Sequence, residues 1–568
     1  MKPRKFSVAS KIFAVIAVVF VLSFSICIAI WKLSIQSEDD AWNKPETQPH
    51  IVVIIADDMG WNDVSYHGSN QIPTPNIDAL AYNGVILRNH YVLPICTPSR
   101  TAFFTGRYPI RDGMYGYPLK AGEPRGIPLN TTLLPQHLRN LGYSTHIVGK
   151  WHTGYQSDDF TPARRGFETF FGYYNGYISY FDYLASNEKD NVTGYDMHRD
   201  NAKEIKPDWS HTNKYATDVF TDEAIKVIDN HNSNKPLYLQ ISHLAPHSSD
   251  QRHPLEVRDM KEVNRTFGHI SDISRRQYAG MVSALDESVG RVVEALSQNN
   301  MLENSIILFM SDNGAQTIGF LKNHGSNYPF RGLKFTLYEG GVHGVACVYS
   351  PLIKYRQRVS ENFIHITDWL PTLYSAAGGH SADLGMIDGV DQWLTISRRK
   401  RSRRHSLLVN IDDSVNLEAA IIGQYKLLKG ASPEYDSYYG ENVDDDDPST
   451  PAYDLDAVSN SLAGQAIARV SGAYLSRKQM LQLRSTSKII CKPFSQYSNC
   501  SDRCLFDLTV DPCETTDISQ QYPEVVRTLE DYIDGYRRVL LQQNKTYVDP
   551  NSLPYHFGGV WMPWLPAK

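Results

Sequence analysis

Short apolar runs separated by amphipathic stretches organise most of this chain. His50-Ile-Val-Val-Ile-Ile-Ala56 is continuous and β-branched, the pattern of a strand buried on both faces. Leu237-Tyr-Leu-Gln-Ile-Ser242, Ser305-Ile-Ile-Leu-Phe-Met310 and residues 342–349 repeat it. Between them, residues 133–141, 220–230 and 278–296 carry apolar side chains at helical spacing. Strands alternating with helices predict an α/β fold, a mixed and mostly parallel sheet flanked by helices. Past residue 400 the pattern changes. Ser397-Arg-Arg-Lys-Arg-Ser-Arg-Arg-His405 is basic, Asp444 to Asp447 is acidic, and residues 418–423 with 425–429 read as a hairpin. Both charge runs suit solvated loops, and Arg398-Arg-Lys-Arg401 also has the form of a proprotein-processing site. The division is a large domain over 47–400 and a smaller C-terminal α+β domain over 401–568.

The first segment is a targeting element. Lys2, Arg4, Lys5 and Lys11 precede an apolar run from Ile12 to Ile30, closed by Lys32. Its length approaches a bilayer core, so residues 1–36 read as a cytosolic tail with a signal anchor, or as a signal peptide. The flanking charge predicts a cytosolic N-terminus and a lumenal remainder, with 37–46 a polar stalk. The destination is the secretory pathway: lysosome, Golgi, cell surface or secreted, and a single-pass membrane protein if uncleaved. Glycosylation triplets at Asn130, Asn191, Asn264, Asn499 and Asn544 agree with a lumenal address.

Composition adds exclusions. Lys plus Arg number 56 against 62 Asp plus Glu, a net charge of −6, which gives no footprint for nucleic acid. Of 7 cysteines, Cys27 lies in the apolar run and Cys347 in a strand-like run. Cys491, Cys500, Cys504 and Cys513 cluster near the C-terminus, enough for two disulfides in any of three pairings or, less naturally in a lumen, a zinc site. Cys96 stands apart.

In α/β sheets, functional groups gather just past the carboxyl ends of strands. After the first strand comes Asp57-Asp58, and after Met310 comes Ser311-Asp312-Asn313-Gly314. Asp57, Asp58, Asp312 and Asn313 offer hard oxygen ligands suited to calcium or magnesium, although strand-end turns also favour these residues. His243-Leu-Ala-Pro-His247 follows another strand; it has zinc-ligand spacing, but Pro246 argues against a helix, so His243 reads as the active-site histidine and His247 as a loop residue. Cys96-Thr-Pro-Ser-Arg100 and Gly149-Lys150-Trp-His152 place a thiol, an arginine, a lysine and a histidine in chemistry-bearing segments. Read from residue types alone, such cations would depress the thiol pKa and bind a tetrahedral oxyanion.

The run from Cys96 to Gly106 resembles the first signature of the sulfatase family, and that from Gly142 to His152 its second. Asp57-Asp58, His243, Asp312-Asn313 and Arg331-Gly-Leu-Lys334 follow in the family's chain order. The C-terminal stretches Tyr425-Lys-Leu-Leu-Lys, Leu505-Phe-Asp-Leu508 and Gly559-Val-Trp-Met-Pro-Trp564 look like the arylsulfatase B (N-acetylgalactosamine-4-sulfatase) branch. The resemblance implies an alkaline-phosphatase-like fold and sulfate-ester hydrolysis. It implies that a formylglycine-generating enzyme oxidises Cys96 to formylglycine, whose hydrate attacks sulfur. It further implies one Ca2+ per chain held by Asp57, Asp58, Asp312 and Asn313 and ligating the modified Cys96. Arg100 would fix the diol, Lys150 and Lys334 would clamp sulfate oxygens, His243 would serve the leaving oxygen and His152 would accept a proton. The implied substrate is an aryl sulfate or a sulfated carbohydrate such as N-acetylgalactosamine 4-sulfate in a glycosaminoglycan. The rival reading is a phosphatase or phosphodiesterase of the same superfold, which would place Ser or Thr at the nucleophile and bind two zinc ions. Residues 170–183, rich in Tyr, Phe and Gly, suit either sugar stacking or the core.

Overall fold

A computed structural model describes residues 47–187, 191–249, 253–431, 433–440, 449–492, 496–543 and 547–567. The N-terminal apolar run, the acidic run and the Asn544 triplet lie outside the described residues. No helix among the described residues is long and apolar enough to cross a membrane.

Residues 48–568 form one compact unit around a ten-stranded sheet. Its spatial order is Arg358–Ser360, Val85–Leu87, Ala346–Tyr349, Ser305–Ser311, His50–Ala56, Leu237–Ser242, Ser144–Lys150, Thr169–Tyr173, His198–Asp200, Ile205–Pro207. Four of these carry the site and are named here β1 (His50–Ala56), β2 (Ser144–Lys150), β3 (Leu237–Ser242) and β4 (Ser305–Ser311). β1 lies between β3 and β4, β3 lies against β2, and all four run parallel. Every residue of β3 and β4 is buried, which is why their sequences show no polar alternation. The apolar run at 342–349 divides: Glu339–Val342 is a short helix, and only Ala346–Tyr349 is a strand, antiparallel to β4. Gly340 N bonds to Arg331 O there and holds the turn outside the sheet.

Two helix layers cover the sheet. Ala216–Asp229, Ile273–Gln298 and Leu462–Ser471 pack together, while Cys96–Thr105 packs with Leu134–Asn140 and Trp369–Ala376. Leu462–Ser471 therefore sits in the large layer although it lies late in the chain. The predicted hairpin is Leu417–Ile422 with Tyr425–Lys429, the centre of a four-stranded antiparallel sheet edged by Ser406–Asp412 and Arg503–Asp507. Strand alternation gives it two apolar faces. Leu408, Ile411, Leu427 and Leu505 meet Val526, Leu529 and Ile533 of the helix Pro523–Arg537. Leu407, Val409, Ile421 and Phe506 meet Tyr91, Leu337, Tyr338 and Val342. The four late cysteines pair as Cys491–Cys513 and Cys500–Cys504, which removes the zinc alternative, and Cys347 is a buried strand residue. Asn130, Asn191, Asn264 and Asn499 are all exposed.

Candidate active site

The carboxyl ends of β1, β2 and β4 converge. β1 delivers Asp57 and Asp58, β2 ends on Lys150, and β4 is followed by Asp312 and Asn313. All five are buried. Lys150 Nζ donates to Asp57 Oδ2 at 2.6 Å, and Lys334 Nζ donates to Asp58 Oδ2 at 2.7 Å. Arg100 Nε donates to Asp312 Oδ2 at 3.1 Å, and its terminal nitrogen lies 3.7 Å from Asp57 Oδ1. Asn313 Nδ2 donates to Asp58 Oδ1 at 2.6 Å.

Burial pushes the Asp57 carboxyl up, but Lys150, His247 and Arg100 outweigh it and hold the group ionised. Asp58 behaves likewise, with Lys334 and His247 outweighing burial. Asp312 is pushed up instead, by burial and by the charge of Asp57. Asp57 Oδ1 and Asn313 Oδ1 are buried and accept no hydrogen bond. Unsatisfied buried oxygens beside three crowded carboxylates are what a hard cation requires, so this donor set fits one. His247 lies in the same cluster, within ligand distance of Asp57 and Asp58. The three carboxylates balance Arg100, Lys150 and Lys334 by formal charge; a bound dication would leave the site net positive, which suits a sulfate oxyanion.

Cys96 is the first residue of a buried helix, named here α1 (Cys96–Thr105). Ser99 Oγ fixes its entry by donating to Leu93 O and accepting from Leu93 N. Cys96 Sγ lies 3.3 Å from His152 Nδ1, while His152 Nε2 lies 2.9 Å from Leu119 O. A carbonyl only accepts, so Nε2 carries the proton and Nδ1 presents its lone pair to Cys96. Burial, with Lys150 beside it, pushes the His152 pKa down and keeps the ring neutral. Burial also pushes the Cys96 thiol up, despite Lys150 and Lys334. The expectation of a depressed-pKa thiolate therefore fails: desolvation of a fully enclosed sulfur exceeds the pull of two lysines.

His243 is not at the site. Its Nε2 lies 2.9 Å from Ser288 Oγ on the helix named here α2 (Ile273–Gln298), so the ring packs into the helix layer. The reason is geometric: His243 N still bonds to Ile55 O, and only after the turn at 244–247 does the chain reach the strand ends. His247 is the histidine that arrives there, with Nε2 3.3 Å from Lys334 Nζ and 3.4 Å from Asp58 Oδ2. Its position on a loop leaving a buried strand was the available signal, since loops at strand ends carry function.

A cavity of about 280 Å3 opens on Cys96, His152, His247 and Lys334. Its walls include Tyr117, Leu119, Asn175, Tyr177, Phe320 and Phe335. Tyr177 stacks on His247 at 5.8 Å and 13°. Most of the aromatic stretch is core, for Tyr173, Tyr174, Tyr180 and Tyr183 are buried, and Tyr177 faces the cavity. A larger cavity of about 620 Å3 shares Tyr117, Gln316, Phe320 and Phe335 with the first and adds Asn410, Asp412 and Tyr435 from beyond residue 400.

Fold and site together define an α/β protein that gathers buried carboxylates, cations and a histidine-facing thiol at parallel strand ends. Residues 49–379 match the family model described as Sulfatase. Arylsulfatase J of Mus musculus is 36% identical over 557 residues, covering 94% of this chain and 83% of the relative. N-acetylgalactosamine-6-sulfatase of Homo sapiens is 30% identical over 386 residues, covering 66% of this chain and 71% of the relative. Among solved structures, the crystal structure of Ps i-CgsB superposes with a TM-score of 0.66 at 25% identity, covering 87% of this chain and 94% of that one. This chain belongs to the sulfatase family, and its activity is sulfuric ester hydrolysis.

Proposed function

We propose that the chain hydrolyses sulfate esters of sugars through a formylglycine made from Cys96 by a formylglycine-generating enzyme, with one Ca2+ at the strand ends. The observation that carries the reading is Cys96 on the cavity wall, facing a neutral His152, beside a carboxylate cluster with two unsatisfied buried oxygens. Asp57, Asp58, Asp312 and Asn313 would hold the cation. Bound there, Ca2+ supplies a Lewis acid that offsets oxyanion charge. A hydrated formylglycine at position 96 supplies a nucleophilic hydroxyl and a second one whose proton can be lost.

The chain's own groups do the rest. Lys150 and Lys334 hold sulfate oxygens at fixed donor positions. Arg100, locked by Asp312, orients the residue at position 96. His152 Nδ1 takes the proton from that residue. His247 and Lys334 stabilise the leaving oxygen, with Lys334 Nζ as the proton donor, the role first read onto His243. The apolar walls of the cavity exclude water from the sulfate.

A sugar substrate is supported by the cavity's size and aromatic walls, with Tyr177 placed to lie on a pyranose ring. The relative named N-acetylgalactosamine-6-sulfatase supports a sulfated hexosamine, and N-acetylgalactosamine 4-sulfate in a glycosaminoglycan is the form proposed. The site of action proposed is the secretory pathway, in keeping with the two disulfides and the exposed glycosylation triplets. The proposed layout keeps a membrane anchor or signal in 1–36, a catalytic domain over 47–400 and a C-terminal domain over 401–568. The test is mass spectrometry of the peptide carrying position 96, from protein made in a secretory host, alongside turnover of an aryl sulfate. An aldehyde at position 96 with turnover is expected. An unmodified thiol with full turnover would remove formylglycine from the mechanism. Chelation followed by addition of Ca2+ should abolish and restore turnover, and full activity in chelator would remove the metal.

A further inference from the structure

Two segments bring unpaired cations to one surface, away from the catalytic cavity. Lys354, Arg398, Arg399 and Arg401 are exposed and Arg356 is half-buried. None of the five makes an ion pair among the described residues. Elsewhere on the surface Arg88, Arg111, Arg258, Arg291 and Arg537 pair with acids. The segments are joined by backbone: Lys354 N bonds to Ser397 O, and the Arg358 guanidinium donates to the carbonyls of Thr395 and Ile396. Burial and the charge of Arg399 push the Arg358 pKa down to about 10, so the two guanidinium groups lie close enough to repel.

The sheet register locates the patch. Arg358 begins the edge strand, which runs parallel to Val85–Leu87 and, through two antiparallel pairings, in the direction of β1. Residues 354–357 therefore lie toward the amino ends of the parallel strands, whereas Cys96, Lys150 and the carboxylates lie at the carboxyl ends. Neither of the two cavities described above is lined by these residues, and an open cationic surface suits an extended chain rather than a small ion. Four of the five cations are arginines, whose planar forks match sulfate and carboxylate oxygens. Tyr355 lies exposed among them, available to a sugar face.

We propose that Lys354, Arg356, Arg398, Arg399 and Arg401 form an exosite for a linear sulfated polysaccharide, separate from the catalytic cavity. It goes beyond the proposed catalytic function, because it tethers the enzyme to a polyanion without touching the ester that is cleaved. Attraction to a polyanion on a surface of an otherwise acidic protein is local and salt-sensitive.

The probe is immobilised heparin, with chondroitin 4-sulfate as a second matrix, eluted by a salt gradient. Wild-type protein should be retained, and the variant Arg398→Gln with Arg399→Gln and Arg401→Gln should elute at lower salt, roughly tenfold to hundredfold weaker at physiological salt. The variant should keep wild-type kcat/KM on a small aryl sulfate and show raised KM, with unchanged kcat, on a polymer. Unchanged retention of the triple variant overturns the exosite. So does retention that vanishes with Lys334→Ala, which would put the polymer in the catalytic cavity. Binding to phosphatidylserine vesicles without binding to heparin, or cleavage after Arg401 during secretion, would assign the cluster to a membrane or a protease and overturn it as well. Loss of aryl sulfatase activity in wild-type protein would instead strike the catalytic reading and leave the exosite standing.

Discussion

Two buried ion clusters in this protein look alike and do different things. At the strand ends, Asp57, Asp58 and Asp312 face Arg100, Lys150 and Lys334. Between the two sheets, Lys426 Nζ lies 2.7 Å from Glu339 Oε1 and 2.8 Å from Glu514 Oε1, while His343 Nδ1 and Tyr91 OH reach Glu339 Oε2. Both are buried, and both shift pKa values strongly. Such shifts alone would mark either as a functional site. The first cluster opens on a cavity through Lys334 and His247 and leaves Asp57 Oδ1 and Asn313 Oδ1 without hydrogen bonds. The second touches neither cavity and is walled by the apolar contacts of Tyr91, Tyr338 and Val342 with the antiparallel sheet. Access to a cavity, rather than burial, charge or an unsatisfied oxygen, separates chemistry from architecture, since Glu514 Oε1 of the second cluster also lacks a hydrogen bond.

The largest expected effect falls on the open cluster. Cys96→Ala should lower kcat/KM by at least about 10⁴-fold, as loss of a nucleophile does, with the thermal transition nearly unchanged. Activity within tenfold of wild type would mean that the nucleophile lies elsewhere. In the enclosed cluster, Lys426→Met should destabilise by about 3–5 kcal/mol, because it strands Glu339 and Glu514 as buried carboxylates. The folded fraction should keep its kcat. A denaturation midpoint equal to wild type would show that the second cluster carries no structural load.

The two histidines of residues 243–247 sharpen the contrast within one loop. His247→Ala should cost about 10²–10³ in kcat with little loss of stability. His243→Ala should leave kcat within a few-fold and cost about 1–2 kcal/mol, the worth of a buried hydrogen bond to Ser288. The reverse pattern, read from kinetics and thermal melts of the two variants, would restore the assignment made from sequence.

That reversal marks the limit of what the chain reveals unaided. Buried strands announced themselves because β1 and β4 carry continuous apolar runs and β3 is broken only by Gln240 before its closing serine, and the groups directly after β1 and β4 then followed from the rule of strand ends. Cys96, Arg100, Lys150 and Lys334 were legible through motifs whose spacing is rigid. His247 was not, because the turn that carries it to the site depends on how the chain at 244–247 folds back over β1, not on residue type. Likewise Arg331 stands three residues before Lys334 in the segment that follows the family's chain order, yet Arg331 donates to Glu514 O and Ser498 O and ties the C-terminal segment down. Only the pairing of distant segments distinguishes a residue that touches substrate from one that holds the fold.

The smallest effect is one of pH and belongs to the enclosed cluster. Burial and the charge of Glu339 push Glu514 up from 4.5 to about 7, against the pull of Lys426. Glu339 goes the other way, to about 2, because Lys426 and His343 outweigh its burial. A carboxyl whose pKa is raised on folding binds more protons folded than unfolded, so its contribution is present below pH 4.5 and fades as pH rises through 7. A depressed carboxyl contributes above pH 4.5 and loses that as pH falls through 2. The pair is therefore most stabilising near pH 4.5 to 5 and weakens toward neutrality. Thermal melts of wild type and Glu514→Gln between pH 4.5 and 7.5 isolate the effect from other acids. The wild type should lose more stability over that window than the variant, whose cluster no longer releases a proton. Parallel profiles would mean that Glu514 is ionised throughout, and that the enclosed cluster tolerates two buried carboxylates on one lysine as readily as the open one tolerates three on its own cations.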